Sequence, residues 1–276
     1  MTKSDSSPTV FNELEKSKQF YRNLWGGDDL HVGIYRPAKL SPTEAGRKTT
    51  DKMLKLLPRL KRASKVLIIQ SGFGTAARYI ATKGKCKVEC LNDDEVQNAF
   101  NEQQIAEEGL EKMVKVTLGD IDYMPYAPDT FDVVIAQDSF SITSKKRAMF
   151  RAIHRVVKPE GRLIFSALMR AENGCDASAE QLIEQLPVEE LISEEDYQND
   201  ARRGFFQHVY SLDLSDNLPI HFEKLLGTLE SERETFVEQI SKKFVHQRVK
   251  AYQGFGELAD RGCLKWGILM FQKMNA

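Results

Sequence analysis

Val66-Leu67-Ile68-Ile69-Gln70-Ser71-Gly72-Phe73-Gly74-Thr75 is a short apolar run that enters a two-glycine turn, and a helical stretch follows from Thr75 to Thr82. Four consecutive apolar residues describe a strand buried on both faces. The two glycines allow a sharp strand-to-helix turn and let the backbone approach a ligand. The Gly-Lys-Ser/Thr ending of a phosphate loop is missing, and so is a full dinucleotide fingerprint. By itself the segment serves a tight turn as well as a ligand.

The same alternation continues outward. Lys87–Leu91, Val114–Leu118, Phe131–Ala136 and Arg162–Ser166 read as further strands, with helices over Glu95–Glu108 and Ser144–Val157, the second stopped by Lys158-Pro159-Glu160-Gly161. Apolar strands alternating with amphipathic helices predict a parallel sheet covered on both faces. Upstream, residues 41–58 are helical: Ser41 caps, Glu44 sits three later, and Met53, Leu54, Leu56 and Leu57 form the apolar face. Downstream, residues 170–203 are acidic and helix-leaning, Phe205–Leu212 reads as a sixth strand, residues 217–249 as helix and Cys263–Phe271 as a closing strand.

Composition narrows the class. The chain has 276 residues, 41% apolar and 29% charged, with 39 Lys+Arg against 40 Asp+Glu. A formal charge of -1 gives no overall field to attract nucleic acid or an anionic membrane. Mean hydropathy is -0.42, with no apolar run of spanning length and no apolar signal core in Met1–Val10. Cys86, Cys90, Cys175 and Cys263 form no C-x-x-C pair and read as free thiols rather than a zinc site. The expectation is a cytoplasmic globular protein that binds no metal.

In an open parallel sheet, ligands gather at the carboxyl ends of the strands. That selects residues 70–75, 92–94, 119–121, 136–140 and 166–169. The order of strand, Gly-x-Gly, helix, strand with a polar end, and strand ending at Gly119-Asp120 resembles the Rossmann-like, class I S-adenosylmethionine-dependent methyltransferases. So do Phe131-Asp132-Val133-Val134 and Arg155-Val156-Val157-Lys158-Pro159-Glu160-Gly161-Arg162-Leu163. Phe20-Tyr21, Trp25-Gly26-Gly27-Asp28-Asp29-Leu30-His31-Val32-Gly33-Ile34-Tyr35, Cys90-Leu91-Asn92, Glu95–Asn98 and Leu264–Ile268 are similar to the sarcosine and dimethylglycine N-methyltransferases that make glycine betaine.

The resemblance implies a doubly wound, seven-stranded, mostly parallel α/β sheet with an amino-terminal lid and a helical cap. The expected units are a 1–58 arm and lid helix, a 59–169 cofactor-binding core, a 170–204 cap insertion, and 205–276 completing the sheet. The implied cofactor is S-adenosylmethionine, held by Gly72, Gly74, Asn92 or Asp93 at the ribose, Asp120 and Ile121 at the adenine, and the Gln137 backbone at the methionine end. Asp120 serves equally as a turn residue, and Gln137 with Asp138 as a helix-capping pair.

The implied substrate is a small amine, with Trp25, Tyr35 and Asp138 binding it. Tyr21 and His31 are the catalytic candidates, His31 as proton acceptor. Tyr21, Trp25, His31 and Tyr35 also suit a hydrophobic staple for the arm. Arg36, Arg202 and Arg203 could pair with a substrate carboxylate, or be surface residues. His154 and His246 are expected on solvated helix faces; His208 and His221 are left open. Homo- or hetero-oligomers are both compatible with the sequence.

Four positions depart from the family pattern. Ile68 replaces an acid inside the first strand and Gln70 a loop-opening glycine. Ile142 stands where a histidine is usual, and Ala167 where an aspartate is. Losing one hydrogen bond to a charged partner costs roughly 1.5–3 kcal/mol, a tenfold to hundredfold loss of affinity. Gln70 also adds a side chain beside the cofactor's methionine portion, and is strained if the turn needs a positive φ. The expectation is weak cofactor binding. The alternative is a catalytically impaired or repurposed paralogue that serves as a partner subunit or binds another ligand. A third option is another reaction in the same pocket.

Overall fold

The computed structural model describes residues 8–274 apart from 143–144, 173–174 and 187, and the side chains from residue 16 onward apart from Ile142. Helix α1 (Pro8–Trp25) and α2 (Pro42–Leu56) precede the sheet. Then come β1 (Lys65–Ile69), α3 (Thr75–Gly84), β2 (Lys87–Asn92), α4 (Glu95–Glu107), β3 (Val114–Leu118), β4 (Phe131–Gln137), α5 (Lys146–Val156) and β5 (Val157–Arg170). The remainder is α6 (Ala177–Glu184), α7 (Glu194–Arg203), β6 (Phe206–Asp213), α8 (Leu218–Ser231), α9 (Arg233–Gln239), α10 (Lys242–Asp260) and β7 (Leu264–Lys273).

Among the described residues the strands form one seven-stranded sheet in the order β3-β2-β1-β4-β5-β7-β6. β1 to β5 are mutually parallel; β7 runs antiparallel between β5 and β6. The strand order reverses between β1 and β4, so their carboxyl ends flank the crevice expected to take a ligand. Because β7 is antiparallel, its first residues lie at that same edge: Ser166 of β5 pairs with Gln137 of β4 on one side and Ile268 of β7 on the other.

Three apolar clusters hold this together. Leu67, Ile69, Val134, Phe140, Phe150, Phe165 and Phe271 pack on one face of the sheet, and Val66, Ile68, Ile80, Val133, Ile135 and Ile164 on the other. The third joins Phe20, Leu24 and Trp25 of α1 to α8, α9 and α10, and to Leu264 and Trp266 at the start of β7. α7 sets Tyr197 and Ala201 into the first cluster, whereas Leu182 of α6 and Leu186 just after it lie against Gly254 of α10.

α1 is a finding: Phe20–Trp25 is visible in the sequence only as an aromatic stretch, but packing turns it into the end of an 18-residue helix. The Ser/Thr-rich residues 1–10 are expected to be mobile; 1–7 lie outside the described residues, and residues 8–10 are instead the first turn of α1. His154 does not lie on a solvated face. It is half-buried against Phe205 and Phe206, with Nε2 buried and unpartnered. No described helix is long and apolar enough to cross a membrane, and the described residues contain no cluster of three metal-ligating side chains.

Gly74 shows why the first turn is specified so tightly. Its φ is +75°, and a Cβ there would sit 1.9 Å from Asn101 Oδ1, an atom already held by Arg78 Nη1 at 2.7 Å. Gly74→Ala is therefore expected to destabilise the fold by about 1–3 kcal/mol. Thermal denaturation checks this; an unchanged melting temperature would contradict it.

Candidate active site

The tips of β1, β2 and β3 meet around Gln70. Gln70 has φ +50°, a left-handed backbone that costs a non-glycine residue of order 1 kcal/mol or more. Its Oε1 is buried with no hydrogen-bond partner. Together with Ile69, Leu91, Asp93, Gly119, Asp120 and Ile121, Gln70 walls a cavity of only 10 Å³, room for about one water. Gly72, at φ +53°, has no atom within 4 Å of where a Cβ would stand, so space is left over its backbone. Gly74 is fixed by packing on Asn101 instead.

Other candidates at these tips make local bonds. Asp120 spends its carboxylate on its own turn, accepting from Asp122 N at 3.1 Å. Asn92 is buried and donates through Nδ2 to Gln97 Oε1 at 3.0 Å; it is not a wall of the cavity. Asp93 is a wall, and is exposed. The Gln137 carbonyl takes the Ser139 hydroxyl at 3.1 Å, and its side-chain Oε1 accepts from Thr50. Its Nε2 remains buried and unpartnered. Ile68 and Ala167 are core residues, 3% and 0% exposed; the Ile142 side chain lies outside the described residues.

At the tip of β4, Asp138 organises a second group. It too has a positive φ, +54°. Its Oδ1 accepts from Ser166 Oγ at 2.7 Å and Trp266 Nε1 at 3.1 Å, while Oδ2 accepts from Val32 N at 3.0 Å. His31 Nδ1 stands 3.6 Å from Oδ2. The expected substrate ligand Asp138 is thus a latch, binding the arm after α1 to β4, β5 and β7.

Burial pulls its carboxyl pKa upward, but His31, Ser166 and Trp266 outweigh that and hold it below the ordinary value. Burial likewise opposes charge on His31, yet Asp138 and then Asp29 raise its pKa above 6.5. Asp29, not singled out as a site residue from the sequence, is 2% exposed with neither oxygen hydrogen-bonded, and burial raises its pKa.

The aromatic residues divide. Tyr35 is 2% exposed, donates its hydroxyl to His221 Nδ1 at 2.7 Å and takes Asn217 Oδ1 on its backbone N–H at 2.8 Å. It is a buried anchor rather than a lid ring. Burial lowers His221 to about 4, so its imidazole is neutral and can accept from Tyr35. Trp25 packs edge-on to His221, Tyr21 and Tyr252, with Nε1 buried and unpartnered. Tyr21 packs against Phe20 and Phe244, and its hydroxyl accepts from Arg248 at 3.3 Å. Arg36, Arg202 and Arg203 are exposed, and none reaches this group. His208 bonds Ser211, and His246 is exposed.

α1 closes over the first junction. Lys18 pairs with Asp94 at 2.7 Å, and the Arg22 guanidinium lies over the rings of Phe73 and Phe100 at 5.0 and 4.5 Å. A seven-stranded sheet of this order, with a glycine turn after β1 and a lid helix across the tips, can be compared with known proteins. The methyltransferase-domain family model matches residues 67–165. A structure from Galdieria sulphuraria, described as a candidate sarcosine dimethylglycine methyltransferase, superposes with a TM-score of 0.83 at 27% identity, covering 94% of this chain and 98% of that one.

The chain has the class I methyltransferase fold. A glycine/sarcosine/dimethylglycine N-methyltransferase from Actinopolyspora halophila is 30% identical over 92% of this chain, which spans 45% of that protein's length. A sarcosine/dimethylglycine N-methyltransferase from Halorhodospira halochloris is 27% identical over 94% of this chain and 93% of its own. Seen in this fold, the departures at Ile68 and Ala167 sit in the sheet interior, and Gln70 is the one that reaches the crevice.

The latch has a pH signature. Its Asp138 part stabilises the fold above the ordinary carboxyl value of 3.8 and is lost as pH falls through the lower folded value. Its His31 part is fully present below 6.5 and is lost as pH rises through the higher folded value. The melting-temperature advantage of the native chain over His31→Gln should therefore shrink as pH rises past 6.5. Asp138→Asn should cost about 1.5–3 kcal/mol, because one of three donors then meets an amide N–H₂. An advantage that grows with pH would refute the assignment.

Proposed function

We propose that the chain is an S-adenosylmethionine-dependent N-methyltransferase acting on a small glycine-derived amine of the sarcosine or dimethylglycine type. The observation that carries this is the likeness to the Halorhodospira halochloris enzyme along nearly the whole of both chains. The free cysteines suit a reducing cytoplasm.

The residues at the strand tips fit the cofactor chemically. Gln70 Oε1, Thr75 Oγ1 and Gln137 Nε2 are buried polar atoms that lack partners, and the Gly72 backbone faces open space. Gly72 and Gln137 would hold the methionine end, with Asp93 and Ile121 toward the nucleoside. Accommodating a nucleoside in a 10 Å³ hollow requires the Gln70 side chain to swing aside. The cofactor supplies an electrophilic methyl group on a sulfonium.

The protein's share is positioning and exclusion of water, since transfer to an amine needs a neutral nitrogen held in line. α1 and the arm cover the crevice, and the Asp138 latch keeps them there. His31, beside Asp138 at the tip of β4, is a base strengthened by two nearby carboxylates, suited to take the amine's proton once it has itself lost its own at a pH above 6.5.

The small hollow and the strained Gln70 favour a second reading, a paralogue whose cofactor binding is impaired. Calorimetry with S-adenosylhomocysteine, followed by radiolabelled methyl transfer to glycine, sarcosine and dimethylglycine, separates the two. Binding and transfer support the enzyme; neither heat nor transfer at millimolar ligand supports the paralogue. Gln70→Gly removes the side chain and relieves the left-handed strain. It should tighten the nucleoside by about threefold to tenfold, roughly 0.6–1.4 kcal/mol.

A further inference from the structure

Two edges of the sheet lack a neighbouring strand among the described residues, β3 on one side and β6 on the other. An open edge presents a row of unpaired backbone groups, and proteins blunt it with lysine, proline or a very short strand. β3 obeys this: it has five residues and carries the exposed Lys115. β6 does not. It has eight residues, and Phe205–Leu212 contains no Lys, Arg or Pro and no acid. Five large hydrophobic side chains are exposed among the described residues, and three of them are here: Phe205, Val209 and Tyr210, at 56%, 42% and 39%. The one irregularity in the register of β6 with β7 is a bulge at Val209, which leaves an apolar side chain in solvent.

The two ends of β6 carry opposite charges. Arg202 stands four residues before the strand and Asp216 three residues after it. Both are exposed, and neither is in an ion pair among the described residues. Val209 is seven residues from each. In an antiparallel pair of identical strands a two-fold axis brings the start of one to the end of the other. An axis at Val209 therefore carries Arg202 of each copy toward the end of the other strand, where the second Asp216 stands. Along the strands themselves no like charges meet, and apolar side chains oppose one another. Pairing β6 with β3 of another copy is less suited: it sets Lys115 against the apolar strand, and a head-to-tail contact of this kind does not close.

We propose that β6 is a self-association edge: two copies of this chain pair β6 against β6, antiparallel, with Val209 and Tyr210 packed across the axis and Arg202 facing the partner's Asp216. The two seven-stranded sheets then become one. β6 runs parallel to β1–β5, because β7 is antiparallel to both β5 and β6. The two ligand crevices consequently open on opposite edges of the joined sheet. β5 and β7 separate β6 from β4, so this surface is independent of what the crevice binds.

Sedimentation velocity over about a hundredfold range of concentration should show the native chain passing from monomer to dimer and no further. Val209→Lys, a charge at the centre of the edge, should weaken the dimer by about tenfold or more. Tyr210→Ser, which removes a ring and adds no charge, should weaken it too and leaves the bulge intact. Arg202→Glu and Asp216→Arg each place two like-charge contacts in a symmetric dimer, and each should weaken it by about threefold to thirtyfold. Mixed together, these two chains meet through opposite charges at both contacts and should form a mixed dimer close to native affinity. Both the losses and the rescue should fade in high salt.

A native chain that stays monomeric, species that keep growing past the dimer, dimers indifferent to Val209→Lys and Tyr210→Ser, or a mixture no tighter than its components would each overturn the proposal. S-adenosylhomocysteine binding and the melting temperature at high dilution should be the same in all the variants, since every substituted side chain is exposed.

Discussion

A buried carboxylate at the end of β4 is the constraint on which the candidate site depends. Asp138 is surrounded by three hydrogen-bond donors from three segments remote in sequence, and by the imidazole of His31. A carboxylate removed from water must be satisfied by the protein. Here the satisfaction is distributed: Val32 belongs to the arm, Ser166 to β5 and Trp266 to β7. Their convergence places the arm across the carboxyl edge of the sheet, and the arm carries Trp25, Asp29 and His31 with it. The left-handed backbone at Asp138 is tolerated because four surrounding contacts over-determine it.

The first strand tip works under an opposite tension. Gly72 and Gly74 meet the demands of the turn as glycine should, one facing open space and the other pressed on Asn101. Gln70 takes a positive φ with a side chain present, and leaves a buried carbonyl oxygen without a donor. Natural structures place such local costs at functional positions more often than elsewhere. The Gln70 side chain narrows the hollow walled by Asp93, Asp120 and Ile121. In the aromatic cluster, Trp25 Nε1 and Arg248 Nε are likewise buried without a hydrogen-bond partner.

Much of the architecture was legible because it depends on short-range patterns. Continuous apolar runs at Val66–Ile69 and Val133–Ala136 identify strands buried on both faces, and Ser41 with Glu44 writes a capping box that the structure contains. Gly72 and Gly74 marked the crevice. Helix α1 was harder: its charged and polar residues hide the stripe of Phe20 and Leu24 until α8, α9 and α10 arrive to bury it. Asp120 and Asn92 stand out in the sequence because their type and position suit ribose and adenine; in the structure each also makes a local bond that no spacing announces.

The sequence alone determined the class of sheet, the edge at which ligands gather, the residues able to turn there, and the resemblance that names a small methylated amine. Those are matters of period, glycine placement and residue type, which act over a few positions along the chain. Only the tertiary structure decided that Asp138 is a latch, that Tyr35 is an anchor to His221, and that Arg248 bonds the Tyr21 hydroxyl while its Nε stays unpaired. Which polar atom remains unpaired is settled by groups up to 227 residues away in sequence, and no local pattern records that.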